Sequence, residues 1–316
     1  MRPHDTAIAN GPTALLVRRA GLWWGLLGVA AFSLTVPFTR IAVTETGAET
    51  GAGAGALDPL FVGAGRAVVA GLLAALALLL ARPRAPRGRQ WWRLSVVGLG
   101  VVLGFPVLTS MALTATTANH GAIVIAVLPA ATAVVVVLRT GERPGPLFWL
   151  ATTAGAAAAV VFALTHSGLG PLHWSDVLLF GAVVTAAFGY AEGGLLAREL
   201  GSWQTISWAL VLALPATALL TTVSLGGQAP QASPIQWASF GYLAVVSMFL
   251  GFFAWYRGLA LGPMAQVSQI QLTQPVMTLA WAALLLGETI TPATVIGGAA
   301  VVACAATAVR VRLRVR

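Results

Sequence analysis

Charged side chains inside apolar stretches are the first candidates for chemistry in this 316-residue chain. Glu192, in AAFGYAEGGLLAREL, is the carboxylate that lies furthest inside such a stretch. It could exchange a proton or contact a substrate. Pairing with Arg198 is the structural alternative. Because an ionisable group is costly within a membrane span, Glu192 is a functional candidate.

Two arginines also interrupt apolar sequence. Arg66 stands between VGAG and AVVAGLL with no acid beside it. It could bind a substrate carboxylate or phosphate, or close an outer gate against Glu45, Glu49 or Asp58. Arg40 could do the same, or it could extend its head group to the membrane interface.

His120 opens an apolar segment that Pro129 interrupts, and 146 residues later Gln266 and Pro275 repeat that spacing. A proline inside a span frees backbone carbonyls that can face a cavity. Both segments are therefore candidates for two halves of one binding site. For His120 itself, we favour capping of a helix near the outer interface.

Amide and hydroxyl side chains are dense between residues 266 and 274. Three of them, Gln266, Gln269 and Thr273, fall at i, i+3 and i+7, which is one face of an α-helix. Gln274 precedes Pro275. These groups either contact a substrate or form hydrogen bonds between helices.

Trp255 and Tyr256 lie near the inner end of an apolar stretch, GFFAWYRGLAL. We expect them to belong to an aromatic belt at the membrane interface. Lining a cavity for an apolar substrate is the alternative.

Two residue pairs predict contacts between helices. The GxxxG pair Gly100 and Gly104 predicts close packing. Glu142 and Glu288 each end a span beside a glycine, and we expect them to serve as caps or gate-side charge partners.

The composition excludes a water-soluble domain. Hydrophobic residues make up 58% of the chain and charged residues 9%, against about 25% charged in soluble domains. No lysine is present for a Walker A loop, and Cys304 is the only cysteine, so a disulfide or CxxC site is excluded. We therefore expect no cofactor and no metal.

Segments of about 20 apolar residues can cross a bilayer as helices, and the runs lack the alternation of barrel strands. The fold class is therefore an all-α integral membrane protein with ten transmembrane helices. Residues 1–19 are expected to form a cytoplasmic tail before a retained first span. The predicted spans are 20–43, 58–81, 94–115, 119–138, 146–165, 175–197, 203–225, 235–258, 264–286 and 291–309.

Arginine placement sets the orientation. With both termini in the cytoplasm, 16 of the 18 arginines lie on the inner side. The loop TETGAETGAGAGALD is acidic and would be translocated. We therefore expect a multi-pass protein of the cell membrane whose basic charge faces anionic lipid, and no nucleic-acid partner, because the arginines do not cluster on one surface.

The chain repeats itself. At offset 146, Pro129 corresponds to Pro275, Gly141-Glu142 to Gly287-Glu288, and Pro146 to Pro292. This divides the chain into residues 20–165 and 175–309, followed by a basic cytoplasmic tail at 310–316. Five spans per half is an odd number, so the halves would be inverted. Inverted repeats are typical of alternating-access transporters.

With WWGLLGVAAFSLTVPFTR, PLFVGAGRAVVAGLL, GERPGP and QPVMTLAWAALLLGETITPATVIGGAAVV, the chain resembles the ten-helix EamA type of the drug/metabolite transporter superfamily. This resemblance covers residues 20 to 310 and implies two EamA repeats. It also implies export or exchange of amino acids, metabolites or drugs without ATP. Gln274 departs from the asparagine or glutamate that is common there.

Other functions stay open at this point. A nucleotide-sugar or sugar-phosphate antiporter would need several buried cations, and only Arg40 and Arg66 are available. A membrane-embedded enzyme lacks support, because HExxH and GxSxG motifs are absent. A channel would not need inverted halves.

The expected partners are a small-molecule substrate and the lipid bilayer, and the residues do not distinguish a monomer from a homodimer.

Overall fold

The computed structural model describes residues 12–44, 55–141, 145–166, 173–227, 229–262, 264–292, 295–297, 299–300, 303–304 and 307. Within that part of the chain, every regular element is a helix and no β-strand occurs. Apolar sequence of this kind folds as helices because each helix satisfies its own backbone hydrogen bonds.

The helices are named α1 to α9 in chain order. In the first half, α1 is Pro12–Ser33 with Thr35–Val43, α2 is the π-helical Phe61–Gly65 with Arg66–Ala81, α3 is Arg89–Val97, the π-helical Gly98–Gly104 and Phe105–Ala112, α4 is Ala118–Ile125 with Leu128–Thr140, and α5 is Pro146–His166. In the second half, α6 is Trp174–Leu200, α7 is Ser202–Leu225, α8 is Pro234–Tyr242, the π-helical Leu243–Leu250 and Gly251–Leu261, and α9 is Met264–Gln269, the 3₁₀ turn Ile270–Thr273 and Gln274–Leu286.

Seven of these segments, α1 to α4 and α6 to α8, are long and apolar enough to cross a membrane. Helix α5 coincides with the predicted fifth span. Nine of the 19 residues of the predicted tenth span, 291–309, lie outside the described residues, so the count of ten stays a prediction.

The distribution of side chains is that of a protein surrounded by lipid. Leu79, Leu80 and Leu138 are at least 71% exposed, whereas Thr39 and Thr132 are fully buried. Large apolar side chains on the outside and hydroxyl groups inside reverse the usual preference of a protein in water.

The two halves of the chain share helix boundaries as well as residues. The second part of α4, Leu128–Thr140, and the last part of α9, Gln274–Leu286, are offset by 146 residues at both ends. Both end at a glycine in the left-handed region, Gly141 at φ 68° and Gly287 at φ 65°. The π-helical parts of α3 and α8 also coincide to within one residue at this offset. The structural repeat therefore covers the broken helices, and is not limited to the sequence motif.

Helix packing follows the same symmetry. Helix α1 packs on α8, while its counterpart α6 packs on α3. A methyl group at Gly28 would lie 2.8 Å from the Trp255 backbone nitrogen, and one at Gly100 would lie 2.5 Å from the Thr185 carbonyl oxygen. These glycines allow the helix backbones to touch, which confirms the close packing predicted for Gly100 and brings the two halves of the chain together.

Candidate substrate cavity

A cavity lies between the two repeats, with about 410 Å³ of empty space when its opening to the outside is included. Both halves of the chain contribute to its wall, and three of the contributing residues belong to the π-helical parts of α3 and α8. π-helical turns occur often at functional sites because the widened turn redirects its side chains. The cavity is lined by Phe32, Thr35, Arg66, Val101, Phe105, Pro106, Leu128, Tyr190, Ser247, Met248, Phe252 and Gln274.

Arg66 is the charged residue of this lining. It directly follows the π-helical Phe61–Gly65 and is 1% exposed. Its Nε and Nη2 atoms are buried without a hydrogen-bond partner. A buried guanidinium normally pairs with an acid, because an unpaired buried charge is strongly unfavourable. Arg66 therefore has binding capacity that the described protein atoms leave unused.

The acids that the structure describes are engaged elsewhere. Asp58, one of the gate partners expected for Arg66, accepts a hydrogen bond from the backbone N–H of Phe61 at 2.9 Å and forms no ion pair with Arg66 among the described residues. The other two, Glu45 and Glu49, lie outside the described residues. Arg66 thus faces the cavity with no counter-ion among the described side chains.

Neutral polar groups accompany Arg66 in the wall. The hydroxyl groups of Thr35 and Ser247 form a hydrogen bond of 2.8 Å across the two repeats. Gln274 donates through Nε2 to the Phe32 carbonyl at 3.5 Å, and its Oε1 is buried without a partner. These groups leave one hydroxyl proton and one amide oxygen for a bound solute.

Aromatic rings form much of the remaining wall. Phe32 and Phe252 lie 4.9 Å apart between ring centroids, and Tyr190 lies 6.0 Å from Phe252. Behind them, Trp255 packs 5.4 Å from Tyr190, and the Tyr256 hydroxyl donates to the Gly189 carbonyl at 3.2 Å. The rings therefore provide an apolar surface for a solute.

The interface belt expected for Trp255 and Tyr256 is wrong, because both side chains are fully buried. Sequence position near a span end did not reveal that α1 and α6 cover them. They support the aromatic wall and are not part of the cavity lining.

Glu192 lies outside the cavity lining, in a charge network at one end of the bundle. It binds Arg93 of α3 at 2.8 Å and also binds Arg139 of α4. Arg93 in addition binds Glu199 at 2.5 Å. The alternative of an Arg198 partner is wrong, because Arg198 donates instead to the carbonyls of Leu259 and Gly262.

His120 and Asp176 form a second buried polar contact between the repeats. The His120 Nε2 and Asp176 Oδ1 atoms are 2.6 Å apart, and both residues are at most 6% exposed. The capping role expected for His120 is wrong. Thr117 caps the helix, and its hydroxyl accepts the His120 backbone N–H at 3.2 Å.

Glu288 lies at the end of α4 that also carries His120. Its carboxylate accepts the backbone N–H groups of Ala118 and Asn119, each at 2.9 Å. It therefore caps the amino terminus of a helix in the other repeat, where the helix dipole favours a negative charge. Its counterpart Glu142 lies outside the described residues.

The helical face predicted for Gln266, Gln269 and Thr273 does not form as expected. The 3₁₀ turn at Ile270–Thr273 interrupts the α-helix, so the i, i+3, i+7 register fails. Gln269 donates to the Pro129 carbonyl at 3.4 Å, and Thr273 donates to the Ile270 carbonyl at 2.8 Å. The side chain of Gln266 lies outside the described part of the structure.

Both prolines begin new helical parts. Pro129 follows the non-helical step between the two parts of α4, and Pro275 follows the 3₁₀ turn of α9. Gln269 joins the two breaks by its bond to the Pro129 carbonyl.

Arg40 is separate from this region and donates to the carbonyls of Leu113 and Thr114 at the end of α3, the latter at 3.2 Å.

The sequence reasoning missed several partners. Arg93 and Arg139 belong to the arginines that set the orientation, and no local motif pairs them with Glu192 or pairs Asp176 with His120. Asp176 stands three residues after His173 and forms a capping box with it, a signal of a helix start that does not reveal His120. Thr35 and Ser247 carry no sequence signal, because isolated hydroxyl groups are common in membrane helices.

Comparison with known proteins agrees with this architecture. The model of the EamA-like transporter family matches twice, over residues 19–164 and 173–310. A protein of Bacillus subtilis (strain 168), named "Uncharacterized transporter YdeK", is 42% identical over 294 residues, which covers 90% of this chain and 96% of that protein. A solved crystal structure with 20% identity has a TM-score of 0.65 over 92% of this chain and 96% of its own, and it supports the fold alone.

Proposed function

The chain belongs to the EamA-like transporter family, and we propose that it is a secondary active transporter that moves a small solute through the cavity by alternating access. The transporter assignment follows from the family and from the relative named as a transporter. The observation that supports a solute-binding role for the cavity is Arg66, whose buried Nε and Nη2 atoms have no hydrogen-bond partner among the residues that the structure describes.

The cavity lies where an alternating-access mechanism needs it. Arg66, Thr35 and Phe105 come from the first repeat, and Tyr190, Ser247 and Gln274 come from the second. When two halves rock about a shared site, a solute can reach it from either side in turn. The Thr35–Ser247 bond joins the repeats within the site, so a solute that displaces it would couple binding to this motion.

We assign the inner gate to Glu192. Its bonds to Arg93 and Arg139 tie α6 of the second repeat to α3 and α4 of the first. The arginine-rich connections at this end face the cytoplasm in the proposed orientation, with both termini inside. Opening the cavity inward would require these ion pairs to separate.

We assign the outer gate to His120 and Glu288. The His120–Asp176 contact and the capping of α4 by Glu288 both join the repeats at the opposite end of α4. Since the two gates use different residues, one can open while the other stays closed. The inverted arrangement of two five-helix repeats would make these gates counterparts.

The proposed transport direction is export, or exchange, of metabolites, amino acids or drug-like solutes across the cell membrane. Proton coupling is a variant of this proposal that the buried His120–Asp176 pair could serve, because its two groups lie within hydrogen-bond distance, at 2.6 Å, and can share a proton. A nucleotide-sugar or sugar-phosphate antiporter is disfavoured, since Arg66 is the single cation among the described residues of the cavity lining.

Counterflow in proteoliposomes tests this proposal. Vesicles preloaded with an unlabelled solute should accumulate the labelled solute transiently, with saturation, and a channel would show neither behaviour. Arg66→Ala and Glu192→Gln should each abolish counterflow while the protein still inserts in the membrane. Parent-like transport by both variants would contradict the site assignment.

A further inference from the structure

We infer that the cavity selects a small organic monocarboxylate with an aromatic or bulky apolar body, in preference to the corresponding zwitterionic amino acid. This inference rests on the proposed function, since it names the class of solute that the cavity would carry. It is carried by the charge, the donor geometry and the lining of the cavity around Arg66.

The donor geometry of Arg66 fits a carboxylate. The Nε–H and Nη2–H groups lie on the same edge of the planar guanidinium and form a two-pronged donor. These are the two Arg66 atoms that are buried without a partner. A carboxylate accepts both bonds at once through its two oxygens, which is the strong bidentate arrangement. A neutral amide or hydroxyl cannot supply two equivalent anionic acceptors.

The charge of the site favours a ligand with a net charge of −1. The other lining residues are neutral, so the cavity with Arg66 carries one positive charge. A monocarboxylate neutralises it. A zwitterion brings its own ammonium and leaves the site with one uncompensated charge, which is unfavourable in a buried environment. A phosphate dianion would leave one negative charge for the same reason.

The lining specifies the rest of the ligand. Phe32, Phe252 and Tyr190 offer ring faces, and Met248 and Leu128 add apolar surface. An apolar ligand body can therefore leave water without losing any hydrogen bonds, whereas the hydroxyl groups of a sugar would find few hydrogen-bond partners in this lining.

Two neutral groups allow one further polar contact. The free Oε1 of Gln274 can accept a hydrogen bond from an N–H or O–H on the ligand body. The Thr35–Ser247 pair retains one proton to donate. An indole or phenol ring on the carboxylate would use Gln274, while a plain phenyl ring would leave it unpaired.

A matched ligand series tests the inference by binding, without any transport step. The probes are 3-phenylpropionate, 3-phenylpropionamide, phenylalanine and phenyl phosphate, measured by calorimetry on the purified full chain. We expect 3-phenylpropionate to bind at least about tenfold more tightly than each of the other three, the difference expected of hydrogen bonds to a charged group. Equal binding of the amide or of phenylalanine would overturn the inference.

Variants then locate the effect. Arg66→Gln should remove the preference for the carboxylate over the amide, and Arg66→Lys should recover only part of it because the two-pronged donor is lost. Arg257→Gln is the matched control, since Arg257 lies over the Trp24 ring, at 5.5 Å from its centroid, and outside the cavity lining. A preference that survives Arg66→Gln would overturn the inference. If that variant does not fold, the ligand series on the parent decides.

The binding and transport results separate the two proposals. Carboxylate binding that depends on Arg66, without counterflow, would contradict the transport mechanism and support the inference. Counterflow of neutral or zwitterionic solutes that carboxylates do not inhibit would support the mechanism and overturn the inference.

Discussion

The imidazole of His120 and the carboxylate of Asp176 meet at 2.6 Å inside the protein, although 56 residues separate them in the chain. The contact joins α4 of the first repeat to the start of α6 in the second. Two further groups surround it. Asp176 also accepts the backbone N–H of His173 at 3.2 Å, and Glu288 caps the same end of α4.

We expect His120→Ala to lower the free energy of unfolding by about 1–3 kcal/mol, because it leaves the buried Asp176 oxygen without a partner. Asp176→Asn should have a similar effect. The double variant should cost less than the sum, with a coupling of about 1 kcal/mol, measured by unfolding in detergent micelles. Glu199→Gln with His120→Ala serves as the control pair, because Glu199 belongs to the charge network at the other end of the bundle. Additive effects of the His120 and Asp176 changes would show that the contact contributes nothing.

Glu192→Gln should loosen the inner gate, because Arg93 and Arg139 both lose a charged partner. In a Cys304→Ser background, a cysteine at Val101 in the cavity wall reports this opening by its alkylation rate from the cytoplasmic side. We expect the rate to rise by about tenfold, the equivalent of one ion pair between half-buried groups. Glu199→Gln, at a more exposed partner of Arg93, is the control. An unchanged rate in Glu192→Gln would contradict the gate assignment.

Glu288→Ala should destabilise the protein by about 1–2 kcal/mol, the usual effect of losing a helix cap. The N–H groups of Ala118 and Asn119 would then lack their acceptor. Glu288→Gln retains one acceptor oxygen but loses the negative charge that interacts with the helix dipole. We expect it to destabilise the protein about half as much as Glu288→Ala. Thermal unfolding compares the two variants. Equal losses for alanine and glutamine would mean that the charge, and not the hydrogen bonding, is what matters.

Close approach of the helices makes a definite prediction for two glycines. Gly28→Ala and Gly100→Ala each place a methyl group less than 3.0 Å from backbone atoms of another helix, and each should destabilise by about 1–3 kcal/mol. Gly241→Ala has no atom within 4 Å of the added carbon and lies inside a helix. It should stabilise the protein by about 0.5–1 kcal/mol, because alanine favours the helix. A loss at Gly241 equal to that at Gly100 would remove the steric explanation.

In two inverted five-helix repeats, the chain crosses the membrane six times from the start of α1 to the end of α6. Residues at these two points should therefore lie on the same side of the membrane. In the Cys304→Ser background, cysteines at Ala20 and Ser202 should react with an impermeant thiol reagent only from the cytoplasmic side. A cysteine at Ala229, beyond the far end of α7, should react only from outside. Labelling of residues 20 and 202 from opposite sides would contradict the inverted arrangement, while leaving the cavity itself intact.

Part of the candidate site could be predicted because its signal is local. Arg66 stands out as a charge among apolar neighbours, and Pro129 and Pro275 favour the start of a new helical part because proline lacks the backbone N–H that a helix interior needs. The offset of 146 residues was also visible, since repeated motifs preserve their spacing. These features depend on residues close together in the chain.

Other features could not be predicted because they depend on which helices touch. The position of Trp255 near a span end predicts a residue at the membrane interface, but in the fold α1 and α6 cover its side chain. Glu192 had Arg198 nearby in sequence, but the fold brings Arg93 and Arg139 to it instead. The prediction that Gln269 and Thr273 share one helix face requires a continuous α-helix. The 3₁₀ turn changes the angle between successive side chains, so the two residues do not keep that register.

The sequence by itself determined that the chain folds as apolar helices arranged in two related halves, because hydropathy and spacing act along the chain. Only the tertiary structure decided that no described carboxylate pairs with Arg66, that His120 meets Asp176, and that rings from both halves enclose one cavity. Pairing of buried charges depends on distances of a few ångströms between helices that are far apart in sequence. Those distances are set by backbone contacts such as Gly28 against Trp255.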